Sequence, residues 1–532
     1  MATSVSEIGH GPAERGRVPW SNYVVFTICV SLYLLPFMRV ISTASDEGTF
    51  LYGAVRIVHG QVFGRDFFEI MGPGSFYWLA AFYKLFGVNY FAARACLFVS
   101  SLGTAVVLYY LSRRVCRRYQ VLPCIVLMSA VIPCNGHHVD ANFFALISIA
   151  TLVLWMDRHW KTLLFFAGVF AGLSTCCLQT KGTLLLFSML LWLWMHRRRG
   201  AASFSALGMV IGGYLGVAGA VLAYFWSQGA LRSLFYANVT WPSQHYSSVN
   251  AVRYGQGIII WNWDRYITMK DAFSWPFSLA VYGVAAILIA PLLFIAALPA
   301  LVPLSALLAS LAGRIKWRAL RPEIVFYLLC GSALWISEIH RMDEGHLIFG
   351  APLLAILCVY FLDEIQNKYS DNVLKLIAIS AMWLATFDFI GVLSAHSVMT
   401  RVGSISVFKD SPALSFLNTQ VAVGEEIFVY PYAPTYYFLS ATTNPTPYSL
   451  LLYNYNTPSE FQEVIGILDR RRVKYVIWDT PILAYTAVSF PGAQPKNSSD
   501  LIMEHYLESH YKIVSEDRGI RIMEREEAGP GN

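Results

Sequence analysis

Residues 23–41 read YVVFTICVSLYLLPFMRVI, and the residues at 45–48 that follow read SDEG. A helix of roughly 20 apolar residues crosses the ~30 Å hydrocarbon layer of a bilayer, and the first run meets that length. It is long for the core of a signal peptide and stands behind a polar N-terminus carrying Arg15 and Arg17, so it reads as an uncleaved anchor. Ser42-Thr43-Ala44 offers a small-residue cleavage point, but cutting there would remove the helix that places Asp46 and Glu47 just beyond the membrane.

Comparable apolar runs recur as far as Ser394, in a chain of 532 residues that is 56% hydrophobic, 15% aromatic and only 14% charged. A soluble domain of this length does not carry that balance, so lipid must cover most of the chain and the fold is a helix bundle. The net charge of +6 does not point to nucleic acid, because the cations sit in short clusters between apolar runs. The nine cysteines all lie in or beside apolar segments and none follows Ser394, so neither a disulfide framework nor a CxxC metal site is indicated.

The cationic clusters set the topology. They are Arg113, Arg114, Arg117 and Arg118; Arg158 and Lys161; Arg197, Arg198 and Arg199; Arg314, Lys316, Arg318 and Arg321; and Lys368 and Lys375. Positive loops stay in the cytoplasm. That rule gives about 11 spans, at 22–41, 91–112, 121–136, 141–156, 162–179, 182–195, 204–226, 276–300, 322–339, 346–362 and 373–394. The expected organisation is a cytoplasmic tail (1–21), a transmembrane domain (22–394) whose outer loop 42–90 holds interfacial helices, and a small periplasmic α/β domain (395–532). The run 277–312, with Pro291, Pro299 and Pro303, is either one kinked span, which keeps the alternation, or two, which would put the C-terminal domain in the cytoplasm. In that domain, 427–430 and 475–478 read as buried strands, 459–472 and 501–511 as helices, and 524–532 as a disordered tail.

Polar chemistry concentrates in the expected outer regions. Asp46-Glu47-Gly48 opens an amphipathic helix lying on the membrane, with Phe50, Leu51, Ala54, Val55 and Val58 at helical spacing. Two carboxylates at a helix start suit the macrodipole, so a cap alone also accounts for the pair. A second segment, Gly64-Arg65-Asp66-Phe67-Phe68-Glu69, returns charge to the same interface and leads through Gly72-Pro73-Gly74 to Phe76-Tyr77-Trp78. Tyr77 and Trp78 read as membrane-belt anchors, whereas Asp66 and Glu69 have no such bland reading.

With these motifs on view, the chain resembles the GT-C superfamily of membrane glycosyltransferases, in the branch of dolichyl-phosphate-mannose protein mannosyltransferases and bacterial aminoarabinose-transferase-like proteins. The resemblance rests on Asp46-Glu47 after the first span, on Arg65 to Glu69 with Gly72 to Trp78, on Gly172 to Lys181, and on Arg341, Asp343 and His346 ahead of Pro352. Val429-Tyr430-Pro431 and Tyr475 to Trp478 look like the outer domain of the bacterial members. The resemblance implies an outward-facing site in the bacterial inner membrane, a polyprenyl-phosphate sugar as donor, and Asp46 as base with Glu47 organising beside it. In one respect the chain departs from that pattern: relatives carry Lys after the Glu of the second motif, and here the position is Ile70.

Sugar transfer to a hydroxyl needs a base for the attacking oxygen and cations for the departing phosphate. Asp46, Glu47 and Asp66 are the candidate catalytic acids; Glu69, Arg65, Lys181, Arg341 and His346 are the candidate substrate-binding residues. Lys181 at a span end either binds phosphate or snorkels to the interface, and Arg341 either binds phosphate or pairs with Asp343. His137, His138 and Asp140 with His346 are a weak metal pattern; no cofactor is expected, and a divalent metal is the one exception left open. The expected partners are the donor, membrane lipids and an acceptor that is a lipid, polysaccharide or protein. The competing function is a transporter or flippase of lipid-linked sugars, which would want ionisable residues along a path through the spans; most spans here are free of charge.

Overall fold

The structure is a computed structural model describing residues 20–41, 46–197, 204–250, 252–268, 271, 274–495, 497 and 500–526. Ser42-Thr43-Ala44, Arg198 and Arg199, most of the N-terminal tail and the chain end from 527 lie outside the described residues.

Each expected span falls on a helix. In chain order they are α1 (Trp20–Phe37), α2 (Glu47–Val58) and α3 (Gly74–Phe86), then α4 (Tyr90–Val115), α5 (Leu122–Ala130), α6 (His137–Arg158), α7 (Lys161–Cys177), α8 (Gln179–Arg197) and α9 (Phe204–Ser227). After short helical turns come α10 (Phe277–Leu311), α11 (Pro322–Ile336), α12 (Glu344–Gly350), α13 (Pro352–Ile365) and α14 (Lys368–Leu393). Among the described residues, α1, α4, α6, α9, α10 and α14 are long and apolar enough to cross a bilayer alone. The pair α12–α13, bent by 66° at its break, is long and apolar enough only when its two helices are taken together, as a broken span or a re-entrant loop. Its break falls at Ala351-Pro352, where proline removes a backbone donor and disfavours helix in the residue before it. The chain is thus a polytopic α-helical membrane protein with a C-terminal α/β domain.

One expectation changes and one alternative is resolved. The span expected over 121–136 is helical only to Ala130, because the chain turns extended at Val131 ahead of Pro133; nine residues rise about 14 Å, less than half a bilayer. The run 277–312 is one continuous helix of 35 residues through all three prolines.

The cationic loops gather at one end of the bundle. Arg114 at the end of α4 pairs with Asp157 at the end of α6 (2.7 Å), and Arg118 pairs with Asp363 on α13 (2.8 Å) and Asp371 on α14 (3.1 Å). The opposite end carries the segments expected outside, and the C-terminal domain seats on them. Strands β1 (His396–Thr400) and β2 (Gly403–Val407) form a hairpin that the sequence did not announce; it bonds to the end of α1 through Ser406 N to Arg39 O (2.6 Å) and Ile41 N to Ser406 O (3.1 Å).

Four further strands form one sheet, β3 (Ile427–Tyr430), β4 (Tyr475–Asp479), β5 (Tyr511–Asp517) and β6 (Ile520–Arg525), in the order β3-β4-β6-β5. β3 and β4 run parallel from Ile427↔Tyr475 to Tyr430↔Trp478, joined by the helix Pro458–Arg471. That helix starts where the sequence signals a start: Thr457 and Glu460 close a capping box and Pro458 takes the first turn. Glu524 and Arg525, expected in a disordered tail, pair in β6 with Tyr475 of β4 and Tyr511 of β5.

α2 is not spread on the lipid surface as its amphipathic pattern suggested. Every residue except Val55 and Val58 is buried, between α3 and the segment Thr435–Leu439 of the C-terminal domain. Contact is closest at Gly48, where an added Cβ would lie 2.2 Å from Thr435 Oγ1.

Candidate functional site

Asp46 and Glu47, adjacent in sequence, have opposite surroundings. Asp46 caps α2 and is exposed, with Oδ1 accepting a hydrogen bond from the Tyr432 hydroxyl at 2.5 Å. Glu47 points inward and is 4% exposed. Its Oε1 meets the Arg94 guanidinium in a very short contact and accepts from Asn135 N at 2.7 Å, while Oε2 accepts from Arg94 at 3.1 Å. Arg94 also donates to Tyr90, Asn135 and Val40 O. The pair therefore ties the first outer helix to α4 and to the extended 131–136 segment.

Asp66 and Arg65 close on each other at 2.8 Å; Asp66 also accepts from Val62 N, and Arg65 donates to Gln228 O. Asp66 sits below its usual pKa because Arg65 donates to it. These two hold a surface turn shut. Glu69 is different. Phe68 N donates to Pro447 O at 2.9 Å, stitching this loop to the C-terminal domain and carrying Glu69 beneath it, 5% exposed with Oε1 lacking a partner. Burial pushes the Glu69 carboxyl up to about 8, against the Ser449 hydroxyl and Arg56, with Asp46 close enough to add a further rise.

Arg341 faces the same space from the loop before α12. It donates to Asp343 Oδ2 (2.7 Å) and Asn250 Oδ1 (2.7 Å) and stacks 5.1 Å from the Phe490 ring. Of the two alternatives raised for it, the Asp343 pair is formed, and Arg341 also lies within electrostatic reach of Asp46. Tyr246 lies among Arg341, Glu338, Asp343 and Asp46, and burial raises its hydroxyl to about 12. Tyr455 of the C-terminal domain stands against Glu69 and Asp46 and packs on Trp241 at 4.5 Å.

Lys181 is wholly buried rather than snorkelling. Its ammonium meets Glu338 Oε1 at 2.7 Å, Asn142 Oδ1 at 2.6 Å and Phe349 O at 3.0 Å. His346 is held through Nδ1 by Asp343 at 2.6 Å and lies 4.6 Å, ring to ring, from His138. His137 stacks on Phe50 of α2 at 5.5 Å, so this cluster adjoins the Asp46 helix. Asp140 takes no part, since it accepts from Ser100, which accepts in turn from Trp78.

The structure thus places Glu69 and Arg341 each within electrostatic reach of Asp46, sets Lys181 and His346 in a cluster beside them, and holds Glu47, Asp66 and Arg65 in structural pairs. Residues that sequence reasoning passed over are Tyr432, Tyr455, Tyr246, Arg94 and Glu338. Of these only Glu338 and Arg94 carried a signal, a charge within or beside an apolar run.

Glu69 gives a pH signature. Between about pH 4.5 and 8 the folded chain keeps a proton on Glu69 that the unfolded chain releases, so stability falls as pH rises through that window. Glu69→Gln removes this component. Its apparent melting temperature is expected to fall by at least about 3 °C less than the parent's between pH 5 and pH 8.5; parallel melting curves would refute a protonated Glu69.

No protein-family model matches the sequence, and no curated protein matches it. Among solved structures, the chain is similar to ArnT from Cupriavidus metallidurans bound to undecaprenyl phosphate, with TM-score 0.53 and 12% identity over 96% of this chain and 100% of that one. The apo structure of the same protein gives TM-score 0.37 and 11% identity over 95% and 98%. The superposition with the undecaprenyl-phosphate complex runs through the membrane bundle and the C-terminal domain alike, so this chain shares the fold of that protein.

Proposed function

We propose that the protein is a glycosyltransferase that moves a sugar from a polyprenyl-phosphate donor to an acceptor hydroxyl, at the end of the bundle that carries the C-terminal domain. The observation behind this reading is the trio itself: an exposed carboxylate at a helix start, a buried protonated acid and a cation, held between membrane loops and a docked domain. Asp46 takes the acceptor's proton, Glu69 in its neutral form donates a hydrogen bond to the substrate, and Arg341 meets the phosphate. The fold is that of a protein whose structure holds undecaprenyl phosphate, which agrees with such a donor. An apolar pocket of about 460 Å³, lined by Pro73, Tyr77, Trp78, Phe144, Val221 and Tyr224, opens beside the second motif and suits a prenyl chain. By the alternation of cationic loops, the site faces away from the cytoplasm, in the periplasm of a bacterial inner membrane. The sugar can be a hexose or a pentose, and a lipid, polysaccharide or protein can be the acceptor.

Lys181 is no phosphate ligand in this reading, because Glu338 occupies it in the interior. The test is binding of a fluorescent polyprenyl-phosphate analogue to purified protein in nanodiscs. Arg341→Ala is expected to weaken binding about 10- to 100-fold, with Arg341→Lys between it and the parent. Equal binding by Arg341→Ala and the parent would remove Arg341 from the phosphate role, and no binding by the parent to any polyprenyl-phosphate sugar in a panel would remove the donor class.

A further inference from the structure

Next to the Asp46 site, three elements converge on a group of ligand atoms, some of them with no hydrogen-bond partner. His138 stands in the first turn of α6, Glu338 just past α11 and His346 on α12, with one ligand atom from each lying within 4.8 Å of the others. Glu338 is 1% exposed, and its Oε2 has no hydrogen-bond partner among the described residues. His138 Nδ1, also buried and without a hydrogen bond, faces Glu338 Oε1 at 3.5 Å. A buried acceptor left unmatched is unfavourable, and Glu338 Oε2 and His138 Nδ1 are two such atoms converging on one place.

His346 adds an independent sign. Its Nδ1 meets Asp343 Oδ1 at 2.6 Å, and Asp343 is itself fixed by Arg341 at 2.7 Å. With Nδ1 donating to a carboxylate, the lone pair of the neutral imidazole sits on Nε2, the arrangement by which a carboxylate orients a metal-binding histidine. Two imidazoles and one carboxylate form a three-ligand set that leaves a fourth tetrahedral position open. A tetrahedral centre with arms of about 2.1 Å holds its donors about 3.4 Å apart, so His138 and Glu338, at 3.5 Å, are already near that spacing and the third donor must close by at most about 1.4 Å.

We propose that His138, Glu338 and His346 bind one divalent cation of the zinc or manganese class, oriented by Asp343 and opposed by the Lys181 ammonium. The cluster borders the donor site through Tyr246 and through His137 on Phe50. Its role, though not its existence, rests on the transferase reading. A cation there would bind a phosphate oxygen in its open position and supply positive charge beside the departing phosphate. The acceptor oxygen bonds to the anomeric carbon and its proton passes to Asp46. The bond from that carbon to the phosphate oxygen breaks, and the polyprenyl phosphate leaves with the electron pair.

The opposing charge distinguishes a metal site from a closed ion pair. Lys181 shares Glu338 through Oε1, and a carboxylate has lone pairs for both partners, but the ammonium repels a second cation. Lys181→Met should therefore bind metal about tenfold more tightly or better.

The experiment uses the tag-free full chain in nanodiscs, stripped with chelator, equilibrated with Zn2+ or Mn2+ at micromolar concentration, desalted and assayed for metal per chain. The expected result is one ion per parent chain, loss of that ion in Glu338→Gln and in His138→Ala/His346→Ala, and 10- to 100-fold weaker binding in Asp343→Asn, each in a chain that still melts cooperatively. A parent free of bound ion, or the same content in the parent and the double variant, would mark the binding as absent or adventitious and overturn the proposal. Should a ligand variant fail to fold, Lys181→Met and Asp343→Asn decide, since a closed ion pair predicts no rise in the first and no fall in the second. Asp46→Asn must retain the ion, so a parent that binds metal yet turns over no polyprenyl-phosphate sugar would retire the transferase reading and leave the site standing.

Discussion

Asp46→Asn is expected to leave a folded chain that binds donor as the parent does and transfers sugar roughly 100-fold or more slowly, the usual worth of a general base. The assignment follows from what each carboxylate already does. Glu47 has both oxygens engaged by Arg94 and Asn135, and Asp66 is engaged by Arg65 and Val62 N, so accepting a proton there would first break a structural pair. Glu69 is protonated up to about pH 8 and has no base to offer at neutral pH. Asp46 is exposed, and the bond it accepts comes from a neutral hydroxyl, which positions the carboxylate without neutralising it. Asparagine preserves size and still accepts from Tyr432, so the loss falls on turnover. Single-turnover transfer from a polyprenyl-phosphate sugar in nanodiscs measures it. Near-normal transfer by Asp46→Asn together with abolition by Glu69→Gln would move the base to Glu69, and indifference to both substitutions would sink the transferase mechanism.

Much of the scaffold was legible because lipid imposes a simple rule on sequence: a span must be apolar for roughly 20 residues, and charge is confined to its ends. The long helices and the gathering of Arg114, Arg118 and Lys375 at one end follow from it. The rule loses resolution where protein replaces lipid. α5 stops at Ala130 in a stretch as apolar as a span, since hydropathy does not distinguish lipid from the interior of a bundle. α2 carries the amphipathic pattern of a surface helix, yet its polar side meets Arg94 and the C-terminal domain instead of water. The β1–β2 hairpin escaped notice because its pairing with α1 depends on residues some 365 positions away, as with Ile41 and Ser406.

The site was legible in its acids and not in its aromatics. Charges in an apolar chain are conspicuous, so Asp46, Glu69, Lys181, Arg341 and His346 could be picked out one by one. Tyr432 and Tyr455 reach the site only because the C-terminal domain folds back over the outer loops, a tertiary event with no local signature among 30 tyrosines. The division of labour between Asp46 and Glu47 was hidden for a related reason. Adjacent residues on a helix point about 100° apart, so one faces the cleft and the other the core.

That core-facing residue carries the largest stability effect expected in the chain. Glu47 and Arg94 are each 4% exposed, and every oxygen of the carboxylate is matched by the guanidinium or by Asn135 N. Whether the intact pair is better than an apolar pair of the same size is a separate matter, because desolvating two charges offsets much of their attraction. Removing one partner is unambiguous. Arg94→Ala leaves a carboxylate buried without compensation and also releases Val40 O, Asn135 and Tyr90, at a cost of about 3–5 kcal/mol. Because these contacts fasten α2 and the 131–136 segment to α4, the damage centres on the helix that presents Asp46. Arg94→Ala is therefore expected to lower the apparent melting temperature in nanodiscs steeply, and Glu47→Gln, which keeps the acceptor but loses the charge, by less. The double variant Arg94→Met/Glu47→Gln should recover a large part of the loss, since no charge then remains unpaired. If Arg94→Ala melts with the parent, Glu47 is solvated in the folded protein and the clamp described here does not hold the outer helix.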